Sequence, residues 1–167
     1  MSNQPIAILA SGMVTGVGLT AASTCAAIRC AVSNFTETRF MDKGGEWIMG
    51  AQVPLEEPWR GRTKLVKMVV PAIKECLASL DGIPPAKVPL FLCVAEPERP
   101  GRLEGLDQTF LIEVQVELGV QFHPQSKVIE EGKVGGATAL AVAREWLYSR
   151  RSDYCIIAGV DSYLVAG

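Results

Sequence analysis

Residues 126–160, "SKVIEEGKVGGATALAVAREWLYSRRSDYCIIAGV", decide the fold of this chain because they form one strand–helix–strand pattern. The segment SKVIE predicts a brief strand, the glycines after it predict a tight turn, and residues 137–149 predict a helix. Leu140, Ala143 and Leu147 form the predicted inward face of that helix. The apolar run DYCIIAGV then predicts a strand buried on both faces, so the whole stretch indicates an α/β fold with a parallel sheet.

The rest of the chain continues this alternation of strands and helices. A first buried strand of about five residues is predicted for IAILA at 6–10, because a short apolar run precedes a glycine-rich loop. Pro71 lies inside the longest predicted helix and should kink it. Helices are predicted at 21–31 after the N-cap Thr20, at 63–80 and at 107–118 before Gly119. Strands are predicted at the apolar run LFLCVAE, residues 90–96, and at 47–53, where the turn at Gly44 and Gly45 suggests a hairpin. We therefore expect a single domain, residues 1–167, with a mostly parallel or mixed sheet covered by helices.

Charge and hydropathy exclude several classes of function. The chain carries 16 Lys and Arg against 18 Asp and Glu, which are scattered along it, so we expect no nucleic-acid partner. The apolar N-terminus is too short to cross a membrane and lacks the basic start of a signal peptide, so we expect no membrane span and a cytoplasmic location. Hydrophobic residues make up 49% of the chain, and its mean hydropathy of +0.23 indicates a large buried interface.

Cysteine and histidine usage bears on redox and metal chemistry. The five cysteines contain no C-x-x-C pair and predict reduced, buried thiols, with neither disulfides nor a zinc site. They are Cys25, Cys30, Cys76, Cys93 and Cys155. The one histidine, His123, is expected to be a surface or hydrogen-bonded structural residue, and we expect no metal and no cofactor.

The glycine turn at 130–136 has three interpretations: a phosphate cradle, a plain tight turn, or a catalytic elbow. Lys133 is followed by Val134 rather than Ser or Thr, and no glycine stands at the first position of a G-x-x-x-x-G-K-[ST] loop, which disfavours the phosphate cradle. The glycines of SGMVTGVG are also not spaced as the G-x-G-x-x-G of dinucleotide-binding proteins. An elbow is a sharp strand-to-helix turn that places a nucleophile at a helix N-terminus, where the helix dipole lowers the pKa of a thiol.

Two segments of this sequence resemble β-ketoacyl synthases. "PIAILASGMVTGVGLTAASTCAAI" is similar to the opening strand, glycine-rich stretch and capped helix of that family. "GGATALAVAREWLYSRRSDYCIIAGVDSYL" is similar to the family's nucleophile helix and the strand that follows it. The resemblance implies a thiolase-like fold built from two βαβαβαββ halves, with this chain corresponding to the N-terminal half.

The chain departs from the family at the catalytic position. The family's nucleophilic cysteine corresponds to Val134, or to Lys133 if the loop near Arg151 differs by one residue. Neither side chain supplies the thiolate for ordinary acyl transfer, and the family's two catalytic histidines lie in the half that is absent here. The resemblance therefore implies a pseudoenzyme without catalytic residues. The candidate substrate-binding residues are Gly135, Gly136, Asp161 and Ser162.

Several polar groups also have structural explanations. Asp161 and Ser162 would form a turn that satisfies its own backbone through the two side chains. Glu130 and Glu131 are adjacent on a strand, so they point to opposite faces and are expected to be solvated. The mixed charges of AEPERPGRLEG indicate a soluble surface loop, with a docking loop as the alternative.

From this resemblance we expect a non-catalytic structural or partner subunit related to fatty acid or polyketide synthesis. The alternatives are an N-terminal fragment of a larger 3-oxoacyl-ACP synthase-like acyltransferase and an acyl- or coenzyme A-binding module. The expected partners are a second copy in a homodimer or a ketosynthase-like chain in a heterodimer, joined through the strand SKVIEE. Acyl carrier protein and acyl-CoA are the further partners that the resemblance implies.

Overall fold

The fold was obtained as a computed structural model that describes residues 5–164. Within this range the chain forms four α-helices and five β-strands. In chain order these are α1 (Ala21–Arg29), β1 (Phe35–Met41), β2 (Trp47–Ala51), α2 (Gly61–Leu77), β3 (Leu90–Cys93), α3 (Gln108–Leu118), β4 (Lys127–Ile129), α4 (Gly135–Tyr148) and β5 (Ile156–Gly159). The predicted α/β class with a parallel sheet is confirmed.

Strand β3 is the centre of a three-stranded parallel sheet with the order β4-β3-β5. Cys93 is in register with Ile129 on one side and with Gly159 on the other. All residues of β3 are buried, because a central parallel strand is covered on both faces. The strand predicted at LFLCVAE is therefore confirmed for residues 90–93, and the carboxyl ends of the three strands meet at one edge of the sheet.

Helices cover both faces of this sheet. Leu90 and Leu92 pack into the core formed with α2 and α3, whereas Phe91 and Cys93 pack on the opposite side with α4. This division follows from the alternation of side chains along a strand. The Phe91 ring meets the Trp146 ring of α4 edge to face, with centroids 6.0 Å apart. The result is three layers, with α2 and α3 below the sheet and α4 above it.

Strands β1 and β2 form a separate antiparallel hairpin, which confirms a pairing considered for the 47–53 strand. The Asp42 carboxylate accepts hydrogen bonds from the N–H groups of Gly44 at 2.8 Å and Glu46 at 3.0 Å. Gly45 has a φ of 86°, a conformation that favours glycine. The large apolar side chains exposed on this hairpin are those of Phe35, Met41, Trp47, Ile48 and Met49.

The predicted first strand at residues 6–10 is wrong. Residues 5–10 form no strand and no backbone–backbone hydrogen bond within the described chain, and Ile8 is 90% exposed. The chain is anchored just beyond them, where the Glu75 carboxylate of α2 accepts from the Met13 N–H at 2.9 Å and from the Ala21 N–H at 3.1 Å. Because this anchor lies on α2, the apolar run at residues 6–10 lies beside β5 but is separated from it by an open groove. The run therefore has no strand with which to pair.

Helix α4 and strand β5 differ from their predicted burial. Ala139, Ala143 and Trp146 form the inward stripe of α4 at helical spacing, whereas Leu140 is 54% exposed. The small alanines allow the helix to approach the sheet closely. In β5 only Ile156 is buried, because this strand pairs with β3 along one edge and its other edge is open. The predictions of an inward Leu140 and of a fully buried last strand are therefore wrong.

The predicted N-cap at Thr20 and the predicted helix end at Gly119 are confirmed, whereas the predicted bounds of the other helix ends differ by one to three residues. The Thr20 hydroxyl accepts from the Ser23 N–H at 3.1 Å, and the Ser23 hydroxyl accepts from the Thr20 N–H at 3.1 Å, which forms a capping box at α1. Asp107 caps α3, and Gly119 ends it with a φ of 70°. Helix α2 continues through Pro71 to Leu77, so the proline does not end it.

Loss of the α1 capping box should destabilise the protein measurably. We expect Thr20→Ala to lower the free energy of unfolding by about 1 kcal/mol, because the Ser23 N–H loses the hydroxyl that accepts its hydrogen bond. Thr20→Ser retains the hydroxyl and should remain close to the parent. Urea denaturation followed by circular dichroism measures both variants, and equal losses in the two would show that the hydroxyl is not the stabilising group.

Candidate functional site

The carboxyl ends of β3, β4 and β5 form the candidate site, because parallel α/β proteins bind ligands at this edge of the sheet. Acidic residues follow each strand: Glu96 after β3, Glu131 after β4 and Asp161 after β5. Helix α4 also begins here. We call this region the carboxyl edge.

The glycine turn connects β4 to α4 at the carboxyl edge. Gly132–Val134 forms one 3-10 turn, and α4 begins at Gly135. Gly132 has a φ of 48°, and a side chain at this position would overlap the Glu96 carboxylate. Val134 is the N-cap residue of α4, provides no side-chain cap and is 60% exposed. The tip of this strand-to-helix turn is therefore apolar.

Cys93 is the thiol next to the start of α4. A Cβ placed on Gly135 would lie 3.3 Å from Cys93 Cβ and 3.7 Å from its Sγ, so the two residues are in close contact. Burial raises the pKa of the Cys93 thiol, and the negative charge of Glu131 raises it further. A raised pKa keeps the thiol protonated at neutral pH, whereas a nucleophilic cysteine needs the thiolate.

The other candidate residues of the turn have varied environments. Lys133 and Gly136 are exposed and Gly135 is buried. The Glu131 carboxylate accepts a short hydrogen bond from the Thr138 hydroxyl of α4, so Glu131 is not simply solvated as predicted.

Asp161 and Ser162 form the self-satisfied turn that the sequence suggested. The Asp161 carboxylate accepts from the Ser162 N–H at 2.7 Å, and the Ser162 hydroxyl accepts from the Leu164 N–H at 3.2 Å. Within residues 5–164, no hydrogen bond joins this turn to the glycine turn at 132–136. The candidate residues thus share one edge of the sheet without forming one site.

Arg99 is a partly buried residue at this edge that the sequence interpretation missed. Its side chain is 10% exposed, and its Nη1 donates to the Asp161 carboxylate at 2.6 Å. This hydrogen bond raises the pKa of the guanidinium. The Arg99 Nε lies 3.5 Å from the Glu96 carboxylate, and the guanidinium stacks over the Tyr163 ring at 4.8 Å. Arg99 therefore clamps the loop after β3 to the turn after β5.

Arg102 makes an equivalent connection to the segment after β4. Its side chain is 16% exposed and donates to the carbonyls of Ala95 at 3.1 Å and Leu106 at 2.9 Å. It also pairs with the Glu130 carboxylate at 2.5 Å. The loop lies on the surface as predicted, since Glu98 and Glu104 are exposed, but Arg102 is largely covered and Glu130 is paired as well as partly solvated. The available signal was the position of two arginines in the loop that follows a buried strand, at the edge where parallel strands end.

His123 lies at the opposite end of the sheet from the glycine turn. Its N–H donates to the Val88 carbonyl, two residues before β3, at 3.1 Å. Its Nδ1 accepts from the Gln125 N–H at 3.2 Å, and its ring meets Trp146 edge to face at 5.4 Å. The predicted hydrogen-bonded structural role is confirmed. Because the chain has one histidine, Cys93 at the carboxyl edge has no imidazole beside it.

The cysteines are all free, but they are not all buried. Cys25 and Cys30 are exposed, because α1 buries only Thr24 and its other residues face outward or are partly covered. The prediction of buried thiols is therefore wrong for these two and is confirmed for Cys93, while Cys76 and Cys155 are partly buried. Cys155 lies beside β5, where burial raises the pKa of its thiol to about 11.

Comparisons with known proteins give no family. Neither a protein-family model, nor a curated protein, nor a solved structure matches this chain. Among the described residues, no group of three His, Cys, Asp or Glu side chains converges as a metal site. No helix in residues 5–164 has the length and apolar composition needed to cross a membrane.

Proposed function

We propose that this chain is a non-catalytic structural or partner subunit with a thiolase-like half-fold, related to β-ketoacyl synthases. The two segments that resemble this family in sequence support the proposal, although the first of them forms no strand at residues 6–10, where the family has its opening strand. A parallel sheet with helices on both faces is compatible with such a half-fold. In this proposal the chain contributes a surface to an assembly and carries out no acyl transfer itself.

The excess surface of the chain is the observation that carries the partner role. A folded monomer of 17.9 kDa exposes about 8,000 Å². This chain exposes 10613 Å², which is about 2,600 Å² more. An obligate interface buries comparable areas per subunit, on the order of 1,000–2,500 Å². The large apolar side chains that contribute to this surface include Ile8, Leu9, Leu140, Phe35, Trp47 and Met49.

The chemistry of the carboxyl edge supports the non-catalytic part of the proposal. Val134 offers no nucleophile at the start of α4, and the neighbouring Cys93 is a buried thiol with a raised pKa. The carboxylates of Glu130 and Asp161 are engaged by Arg102 and Arg99. Nucleophilic catalysis needs a base or a lowered pKa to activate its nucleophile, and these groups provide neither.

The proposed partner is a second copy of this chain or a ketosynthase-like chain. Strand β4 pairs with β3 along one edge only, so its outer edge is free to continue the sheet into a partner. Lys127 is exposed on this strand and limits non-specific pairing. Acyl carrier protein and acyl-CoA remain proposed ligands of the assembly.

Two measurements test this proposal together. The protein isolated from its natural source under mild conditions should sediment as a complex, containing either a second copy or a ketosynthase-like chain. Incubation of the purified chain with acyl-CoA should leave Cys93 and Lys133 at the carboxyl edge unmodified, and peptide mass spectrometry distinguishes them from the exposed Cys25 and Cys30. A lone 17.9 kDa monomer that gains an acyl adduct at Cys93 or Lys133 would refute both parts.

A further inference from the structure

An apolar groove of about 330 Å³ lies along the free edge of β5. One side is formed by β5 and the residues just before it, and the other side by the extended segment at residues 6–10. The groove is bounded by α2 through Cys76 and Leu80, and by α4 through Leu140, Ala143 and Leu147. Since α2 and α4 cover opposite faces of the sheet, the groove continues the plane of the sheet between two helical layers.

Both sides of this groove carry backbone groups without partners in the sheet. The Ile156 N–H donates to Pro89 and the Val160 N–H donates to Cys93, so these alternate residues of β5 point to β3. The N–H and C=O groups of Ile157 and Gly159 consequently point away from β3 to the free edge of the sheet, and Ile157 lines the groove. On the far side, residues 5–10 form no backbone–backbone hydrogen bond within the described chain.

The side-chain environment specifies the residues that would fit. Ile157 is 39% exposed at the strand edge, and Leu140 and Leu9 are 54% and 62% exposed along the same groove. Asp153 is the one charged residue among those lining it. A segment placed here would have α2 on one face and α4 on the other, so its side chains would be apolar on both faces.

We propose that this groove accepts a β-strand from a partner chain, an uncharged apolar segment of four or five residues that hydrogen-bonds to the edge of β5. Strand addition of this kind derives its affinity from main-chain hydrogen bonds and its specificity from side-chain pockets. An acyl chain would fill the apolar volume but would leave the N–H and C=O groups of Ile157 and Gly159 unpaired. This proposal rests on the partner role proposed above and names the element that the partner supplies.

A peptide with and without backbone donors tests the strand. The probe is the acetylated and amidated peptide KKVIVAVK, in which lysines flank an apolar core. The protein is titrated into the peptide, and binding is followed by the fluorescence anisotropy of a dye attached to one flanking lysine. Two further peptides carry N-methyl groups on alternate core residues, which removes the donors of one strand edge while retaining every side chain. We expect the parent peptide to bind and the version methylated on the edge facing β5 to bind at least tenfold more weakly. Hydrogen exchange at Ile157 and Gly159 should slow when the parent peptide is bound.

Two aspartate variants locate the binding site. Leu140→Asp places a charge on the α4 wall of the groove and should weaken peptide binding at least tenfold. Ile112→Asp is the matched control, because Ile112 is also 54% exposed on a helix but lies on α3, outside the groove. It should bind the peptide like the parent, and circular dichroism checks that both variants are folded.

Three outcomes would overturn the strand proposal. The first is no binding at millimolar peptide. The second is binding that does not depend on backbone donors, seen either as equal binding of the parent and both methylated peptides or as displacement of the parent peptide by dodecanoate; it indicates an acyl or general apolar site. The third is slow exchange at Ile157 and Gly159 in the free chain, which indicates that its own segment at residues 6–10 occupies the edge. A chain that forms its natural complex but binds no peptide would refute the strand and leave the partner role intact.

Discussion

Replacing Gly12 with alanine is expected to lower the free energy of unfolding by about 3 kcal/mol, because the new Cβ would overlap the backbone of α2. Its position is closer than 3.0 Å to the carbonyl oxygen, the carbonyl carbon and the Cα of Ala72. These are backbone atoms inside a helix and cannot rotate away. Relief requires residue 12 to move off α2, which would strain the bond between the Met13 N–H and Glu75. Urea denaturation and thermal unfolding measure the loss.

Gly136→Ala is the control, and its expected effect has the opposite sign. Gly136 lies in the first turn of α4, and nothing stands within 4 Å of a Cβ placed there. Alanine is favoured over glycine in a helix by up to about 1 kcal/mol, so this variant should be equal to the parent or more stable. A neutral Gly12→Ala would show that the N-terminal segment does not cross α2 this closely. The outer side of the strand groove would then have to be placed elsewhere.

Elements whose signals are local were predictable from the sequence. The N-cap Thr20 and the left-handed Gly119 act within one turn of their own helices. The strand at the start of the run LFLCVAE needs only a cover on both faces, which any α/β arrangement provides at its central strand. The predictions at these positions were correct because the interactions that determine them involve residues only a few positions apart.

Residues 6–10 were mispredicted because a strand exists only when it has a partner. The run IAILA has strand composition, but the contact between Glu75 and Met13, 62 positions apart, determines where the segment lies. The inward face of α4 was shifted for a related reason, since the flat surface above Phe91 accepts the small Ala139 and Ala143 more closely than Leu140.

The partners of the two arginines at the carboxyl edge were not predictable from the local sequence around each arginine. Arg99 pairs with Asp161 across 62 positions, and Arg102 pairs with Glu130 across 28. A charged loop rich in proline and glycine is usually solvated, and only the parallel sheet brings these acids to it. The candidate site was therefore located at the correct edge, but its clamping residues emerge only from the tertiary structure.

The thiols of this protein are expected to react with a small disulfide reagent at very different rates, with Cys155 the slowest. A pKa of about 11, against an ordinary 9.0, makes the thiolate fraction of Cys155 about 100-fold smaller at pH 8. A more basic thiolate is intrinsically more reactive and recovers roughly tenfold of this. Cys155 should thus react at least about tenfold more slowly than the exposed Cys25 and Cys30, which serve as internal references. Peptide mass spectrometry after timed labelling measures each rate.

The same raised pKa predicts a pH dependence of stability. The folded state holds the Cys155 proton up to about pH 11, whereas the unfolded thiol ionises near its ordinary pKa of 9.0. Stability from this group is therefore fully present below pH 9.0 and falls as the pH rises toward 11. Cys155→Ala should reduce this loss, and an unchanged pH profile in that variant would assign the loss to other groups.

The labelling order also tests whether the start of α4 activates a thiol. A helix N-terminus lowers the pKa of a neighbouring cysteine, whereas burial and the charge of Glu131 raise that of Cys93. If the raising effects dominate, Cys93 reacts more slowly than Cys25 and Cys30, and Glu131→Gln should speed it because the negative charge is removed. If Cys93 instead reacts fastest at pH 7, the helix dipole dominates and this edge contains a nucleophile. The proposal of a non-catalytic subunit would then have to be replaced by one of acyl transfer. The nucleophile would be Cys93 on β3, one strand away from the position that the family uses.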